Sequence, residues 1–441
     1  MRTWSVPRSL AELLAAFRPC FTAPTFRVFQ AMVTGLVAQP GLRTVTGMLA
    51  GARLAGVWHH ARAHRFFSAA RWSADQLGLL LLEVLVARLL DPDAPIRLVV
   101  DDSLFKRAGR KIFGAGWRYD ATATGRKRVA WGNTWVVVGV LVELRFVPTG
   151  RCACPRSPAC GSPASPAAAS STWPGELVSL IAGRYPDRQV HLVGDAAYAG
   201  KTLRRLPEQV TVTTRLRADA ALYALPGPRQ PGRRGRPRVK GERLPELIVL
   251  AALVAIRWQQ TPVRCYGQTR TKELASLVCL WPTVFGAQPV RVVLVRAPGA
   301  PDGYQLALVS TDLDATPTVL VERYSARWSV EVCFEESRQL LGVGQARNRT
   351  PKAVQRTVPF GLLCVSLVVC WYATHGQPTL DVAAHRARAP WYRHKHAVSF
   401  ADMLTALQRA IIAAQYRPGH LLAPTPAEIL QAQAAWATTA A

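Results

Sequence analysis

Apolar residues recur at helical spacing through the first ninety or so positions, then give way to short, nearly unbroken apolar runs. Ala11–Phe17, Thr25–Val37, Gly47–Arg65 and Ala74–Leu90 each carry an apolar stripe with Arg and His on the other faces, the pattern of amphipathic helices. From Ala94 the texture changes. Ile96–Val100, Trp135–Leu144 and Gln189–Val193 read as strands, with a helix over Glu176–Arg184 ahead of the third. Strands this apolar belong to a sheet covered on both faces, and their alternation with helix predicts an α/β core.

Beyond Asp195 the pattern turns β-rich. Val210–Arg217, Leu247–Trp258, Glu273–Leu280, Val290–Arg296 and Tyr304–Ser310 read as strands between turn-rich stretches. Helical spacing returns over Thr318–Leu341, Ala353–Thr374 and Ser399–Gln415, and an Ala- and Pro-rich tail follows Pro418. No internal repeat is present. The organisation expected is a helical DNA-binding region over 1–93, a core over 94–201, a β-rich insertion over 202–317, the rest of the core over 318–375, and a helical C-terminal region with its tail over 376–441.

Composition narrows the partner. Of 441 residues, 55 are Lys or Arg against 27 Asp or Glu, a formal charge of +28, yet 49% are hydrophobic and only 19% charged. This is a globular chain facing a polyanion, not a basic disordered tail, and nucleic acid is the first candidate. Only eight of the cations are lysines. Arginine's planar fork suits phosphate and guanine, although genomic base composition could also produce the bias. The longest apolar stretches, Leu77–Leu90 and Val358–Ala373, fall short of the roughly 20 residues of a membrane span and read as buried helices. Met1–Pro19 lacks the apolar segment of a signal peptide. Nine cysteines, an odd number, with Cys279, Cys364 and Cys370 in apolar runs, suit reduced thiols. A cytoplasmic, nucleoid-associated protein is therefore expected. Cys152, Cys154 and Cys160 lack a second cluster to complete a zinc site, and His59, His60 and His64 read either as an i, i+4 metal pair or as a basic helix face.

The chemistry lies in the acids. Asp101 and Asp195 each end an apolar strand, where open α/β sheets build sites. Asp102 competes with Asp101, because alternation sends their side chains to opposite faces. On one continuous helix, Tyr324, Arg327, Glu331 and Arg338 would fall within an arc of roughly 60°. Alone this stripe suits a solvated face with i, i+4 ion pairs. Joined to two strand-end aspartates, Glu331 becomes a third carboxylate. Three converging carboxylates repel unless cations neutralise them, and Mg²⁺ with its oxygen ligands suits that task.

This ordered set resembles the DDE transposases of bacterial insertion sequences, whose catalytic core is ribonuclease-H-like. Their third-acid motif, Tyr, two residues, Arg, three residues, Glu, six residues, Lys, is similar to Tyr324, Arg327, Glu331 and Arg338 here, with Arg in place of Lys. Val99-Val100-Asp101-Asp102-Ser103 resembles the first-acid motif and favours Asp101; Leu192-Val193-Gly194-Asp195-Ala196-Ala197-Tyr198 resembles the second. The resemblance covers roughly residues 60–375. It implies Asp101, Asp195 and Glu331 as catalytic ligands of two Mg²⁺ ions, with Mn²⁺ as a substitute. It also implies Tyr324, Arg327 and Arg338 as residues positioning double-stranded DNA, and a homodimer on paired element ends with the C-terminal helices as candidates for the contact. The implied reaction is cleavage at those ends and transfer of the 3′-hydroxyl into target DNA. A DNA-binding remnant without chemistry and a metal-dependent nuclease without strand transfer are the alternatives.

Two basic stretches extend the DNA reading. Lys106, Arg107, Arg110 and Lys111 follow the first acid as a phosphate-tracking loop, against a solvated turn. Arg234 and Arg236, within Arg233-Arg234-Gly235-Arg236-Pro237-Arg238, resemble a minor-groove hook, against an exposed hairpin tip. Trp258 and Trp281 are expected in the core; in related transposases aromatics of the insertion can stack on an unpaired base. Pro148–Pro174 loses apolar periodicity, reading either as a surface loop or as a local frame disturbance. The charge alone makes a prediction: affinity for DNA falls at least about a hundredfold between about 50 and about 200 mM salt. Fluorescence anisotropy across that range checks it, and a salt-independent affinity would remove the polyanion reading.

Overall fold

The computed structural model describes residues 5–120, 122–124, 127–147, 152–155, 173–228, 238–253, 256–300 and 303–415. In chain order the helices and strands are α1 (Arg8–Ala15), α2 (Ala23–Ala38), α3 (Val45–Gly51), α4 (His60–Ser68), α5 (Ala74–Leu89), β1 (Ile96–Lys106), β2 (Gly116–Tyr119), β3 (Val129–Val142) and β4 (Cys152–Pro155). Then come α6 (Trp173–Arg184), β5 (Val190–Gly194), β6 (Val210–Arg215), α7 (Leu247–Ala252), β7 (Gln259–Cys265), β8 (Gln268–Leu280), α8 (Pro282–Phe285), β9 (Pro289–Arg296) and β10 (Leu306–Ser310). The last are α9 (Pro317–Ser325), α10 (Trp328–Gln339), α11 (Pro351–His375), α12 (Pro378–Arg388) and α13 (Phe400–Gln415). Two compact units share these elements: Met1–Asp91 with Asp102–Pro163 and Val330–Ala441, and Pro92–Asp101 with Ala164–Ser329.

The first unit is organised around α11. By length and hydropathy this helix could cross a membrane, but 89% of its most apolar window is buried inside the protein, as in a core helix. Helices α1, α2, α4, α5 and α13 all pack on it. Phe360 of α11 meets Phe29, Phe66 and Phe67 edge to face, with centroids 5.3–6.1 Å apart, the arrangement aromatic quadrupoles favour. The guanidinium of Arg356 lies 4.4 Å over the Trp72 ring and donates to the carbonyls of Phe67 and Trp72, so its burial is compensated. In the same unit β3 pairs antiparallel with β2 and β4.

In the second unit Ile96–Val100 of β1 runs parallel to β5, and β5 parallel to β6. The sheet continues antiparallel through β10, β9, β8 and β7. Helix α9 covers one face: Leu320, Val321 and Tyr324 pack with Val193, Val263, Leu274, Val293 and Leu308. Leu192 and Val193, consecutive and therefore on opposite faces, are both buried. This is the two-sided burial their apolar run implies.

The structure departs from the sequence expectations in identifiable ways. The helix expected over Gly47–Arg65 breaks into α3 and α4, with Arg53 and Gly56 at φ 57° and 79° between them. Leu247–Trp258 opens with a short helix, since an apolar run of this length has no periodicity to separate helix from strand. The strand pairing goes instead to the polar segment β7, joined to β8 by Tyr266-Gly267 at φ 53° and 78°, as a tight hairpin turn needs. β1 does not stop at Val100 but runs on to Lys106, so Asp101, Asp102 and Lys106 are strand residues. The helix expected over Thr318–Leu341 breaks between α9 and α10, where Ser325 Oγ donates back to the Val321 carbonyl at 2.8 Å, a bond that bends helices. The pattern lost after Pro148 still includes β4, paired with β3, and α6 from Trp173; residues 156–172 and the tail from 416 lie outside the described residues.

Helices α2 and α3 cross so closely that a Cβ on Gly35 would lie 1.7 Å from the Met48 carbonyl oxygen. No rotamer relieves a clash with backbone. Gly35→Ala is therefore expected to cost roughly 1–3 kcal/mol or more, read as a lowered melting temperature against wild type.

Candidate active site

The second unit carries two of the predicted acids. The last parallel pair of β1 and β5 is Val100 with Gly194, so Asp101 and Asp195 are the residues that directly follow it on the two chains. Gly194 permits the close approach of that pair: a Cβ there would lie 2.9 Å from Val100 Cγ1. Asp195 leaves the strand and caps a short 3-10 turn over Ala196–Tyr198, whereas Asp101 remains within β1. Their side chains lie at the carboxyl end of β5, where parallel sheets present sites.

Helix α9 and the turn that follows it supply the partners. Tyr324 Oη donates to Asp195 Oδ1 at 3.3 Å. Arg327 Nη1 donates to Asp101 Oδ2 at 2.7 Å, with side-chain exposures of only 14% and 17%, so this pair is well shielded from water. The guanidinium lies 5.7 Å from the Tyr324 ring centre. Burial pushes the Tyr324 hydroxyl up, reinforced by the Asp195 carboxylate and opposed by Arg327 and Arg215. The hydroxyl thus stays protonated and able to donate. A second pair, Arg323 Nη1 to Asp312 Oδ2 at 2.8 Å, fastens α9 to the segment leaving β10. Beside it His191 bonds Thr211 Oγ1 at 2.6 Å; burial and the Arg323 charge hold that imidazole down to about 4, neutral.

The other predicted residues lie in the first unit, apart from two outside the described residues. Glu331 occupies the first turn of α10 and is half-buried. Asp102 is exposed. Arg338 Nη1 donates to the buried Ser103 Oγ at 2.6 Å, and its guanidinium sits 5.7 Å from the Phe105 ring centre. Burial lowers its pKa, with Glu335 and Asp120 acting the other way. Lys106 pairs with Asp120 at 2.7 Å, holding that carboxyl down to about 2 with help from Thr122. Arg107 is turned inward, donating to Asn133 Oδ1 at 3.2 Å and to the Gly344 and Ala346 carbonyls at 2.9 Å. It braces the loop after α10 and leaves little of its fork for phosphate. Arg110 and Lys111 are exposed. A cleft of about 980 Å³ is lined by Asp102, Ser103, Lys106, Arg338, Arg347 and Arg349 among others. Sequence reasoning missed Arg347, Arg349 and the Lys106–Asp120 pair; the Arg-Asn-Arg spacing of Arg347 to Arg349 was the available signal.

Arg234 and Arg236 lie outside the described residues. Trp281 is buried against Phe285, and Trp258 lies under the Arg296 guanidinium at 4.0 Å. His60 and His64 meet ring to ring at 6.0 Å. Among the described residues no three His, Cys, Asp or Glu side chains gather around one point. The two carboxylates that follow the last β1–β5 pair are the hard oxygen donors a divalent cation takes, and they fit such an ion as far as two ligands go.

Arg327 bonds one of the two acids, so its contribution depends on Asp101. In a double-mutant cycle of Arg327→Ala and Asp101→Asn, chemical denaturation is expected to give a coupling of roughly 1–3 kcal/mol. Additive effects would remove the pair from the stability of this unit.

Comparison with known proteins bears on this arrangement. The family model described as DDE superfamily endonuclease matches residues 16–272, more than half of the chain. The match contains Asp101 and Asp195 and stops before Tyr324 and Glu331. No curated protein matches. The mixed α/β architecture is consistent with a ribonuclease-H-like DDE core. With more than half of its length inside the matched segment, the chain belongs to the DDE superfamily endonucleases, a family whose substrate is DNA.

Proposed function

We propose that the protein is a transposase that cuts DNA at the ends of an insertion sequence and joins the freed 3′-hydroxyl to a target. The observation that carries this reading is the pairing of Asp101 and Asp195 with Tyr324 and Arg327. The latter two open the Tyr-x-x-Arg-x-x-x-Glu stretch that continues to Glu331. Asp101, Asp195 and Glu331 are the residues that would hold divalent cations, Mg²⁺ with Mn²⁺ as substitute. When bound, such ions activate the attacking oxygen and stabilise the leaving one in an in-line displacement.

In the first step a water oxygen forms a bond to phosphorus, the 3′ oxygen leaves as a hydroxyl, and the 5′ side keeps the phosphate. In the second, that 3′-hydroxyl attacks a target phosphodiester and displaces its 3′ oxygen, so bond number is conserved. The chain's own groups prepare both steps. Arg327 neutralises Asp101 in the absence of a cation and is placed to hold a phosphate beside it. Tyr324 fixes the orientation of the Asp195 carboxylate. Lys106, Arg110, Lys111 and Arg338 supply positive charge for the phosphate backbone, with Arg234 and Arg236 as a minor-groove arm. Two copies of the chain would act on paired ends.

The test is cleavage of a labelled fragment carrying the gene's flanking terminal repeats, in Mg²⁺ and in Mn²⁺. Cleavage at the repeat boundary is expected to fall at least about a hundredfold in Glu331→Gln and in Asp195→Asn, with DNA binding retained. Products joined to a second DNA identify transposition. Cleavage without joining identifies a nuclease, and binding without cleavage in either metal a remnant.

A further inference from the structure

Trp391 is 73% exposed, the most exposed large hydrophobic side chain among the described residues, and its neighbour Tyr392 is 57% exposed. They stand in the segment between α12 and α13, which reads Ala389-Pro390-Trp391-Tyr392-Arg393-His394-Lys395-His396. An unburied indole of this size is a liability in a chain that has no use for it.

The segment beneath them is a built strap. Asp402, 4% exposed, takes His385 Nδ1 at 2.7 Å, Lys395 Nζ at 2.8 Å and the Ser399 N–H and hydroxyl at 2.8 and 2.7 Å. Arg386 Nε donates to the Lys395 carbonyl at 2.8 Å. The Tyr392 ring rests 5.7 Å from that of His385, and the Tyr392 and Lys395 amides close turns on Ala389 and Tyr392. One buried carboxylate therefore clamps both ends of the strap, while the aromatic tip contributes little to packing.

Charge selects the occupant. No acid occurs from Val382 to Ala401, whereas Arg386, Arg388, Arg393 and Lys395 all fall there. A second copy would bring these same cations against themselves. A polyanion with flat apolar faces meets both demands, since every base offers a π-face that stacks without regard to sequence.

We propose that residues 389–396 form a stacking platform for an unpaired nucleotide, with Trp391 against the base and Arg393 at the adjoining phosphate. The platform rests on the DNA reading and extends it to a segment beyond the residues the family match covers.

The test uses the full chain and two labelled DNAs, a fully paired duplex and the same duplex with a short single-stranded 3′ extension. Wild type is expected to bind the extended DNA more tightly. Trp391→Ala is expected to lose roughly 5- to 100-fold on the extended DNA and to stay within about twofold on the paired duplex; Trp391→Phe keeps most of the affinity. Arg393→Ala weakens both and lowers the salt slope by about one. Unchanged melting of Trp391→Ala shows that folding is intact. If wild type binds DNA but has no preference for the extension, or if Trp391→Ala keeps it, the platform is overturned and the DNA reading stands. If wild type binds neither DNA, the DNA reading itself fails and the platform with it. A change in oligomeric state of Trp391→Ala on sizing identifies a protein contact and also overturns the platform.

Discussion

Two acids follow directly on the last parallel pair of β1 and β5, and in the second unit each of them is met by a donor from one segment of chain. Asp101 and Asp195 follow directly on the Val100–Gly194 pair, so the last rung of the parallel ladder fixes where each begins. A guanidinium at 2.7 Å from one and a phenol at 3.3 Å from the other are the partners supplied by the protein itself. Both donors come from α9 and the turn that follows it. Where α9 lies therefore determines whether the acids are partnered, and the apolar seat of Leu320 and Val321 together with the Arg323–Asp312 pair fixes that position.

The paired parts of β1 and β5 were legible because parallel strands buried on both faces are nearly all apolar, and such runs stand out in any sequence. Segments whose structure depends on partners were not. Gln259–Cys265 is a strand because β8 pairs with it, although its side chains are largely polar and exposed. Leu247–Ala252 has the composition of a strand and becomes a helical turn. Gly35 stands in α2 because the backbone of α3 lies across it, a reason only the packing supplies. α11 was legible as one helix over Ala353–Thr374 despite Pro359 inside it, because its apolar run continues on both sides of the proline.

The candidate site shows the same division. Asp101, Asp195, Tyr324 and Arg327 could be picked out one by one from strand ends and motif spacing, but their pairing could not. Nor did the spacing reveal that Asp102 is exposed while Asp101 is held in an ion pair. The basic run after the first acid looked uniform, whereas the fold separates its members: Lys106 goes to Asp120, Arg107 to backbone carbonyls, and Arg110 and Lys111 to the surface. Identical charges took different roles because β1 runs on to Lys106, and a strand turns alternate residues to opposite sides.

The distance along the chain between the partners has a consequence in time. Arg327 reaches Asp101 across 226 residues and Tyr324 reaches Asp195 across 129, both contacts of long range along the chain. At a synthesis rate of roughly 5–20 residues per second, an interval on the order of ten seconds separates the emergence of Asp195 from that of Arg327. Throughout it the nascent chain holds both acids and neither of their partners. The chain is thereby born with two unmatched acids, and their pairing is completed among the later steps of its own translation.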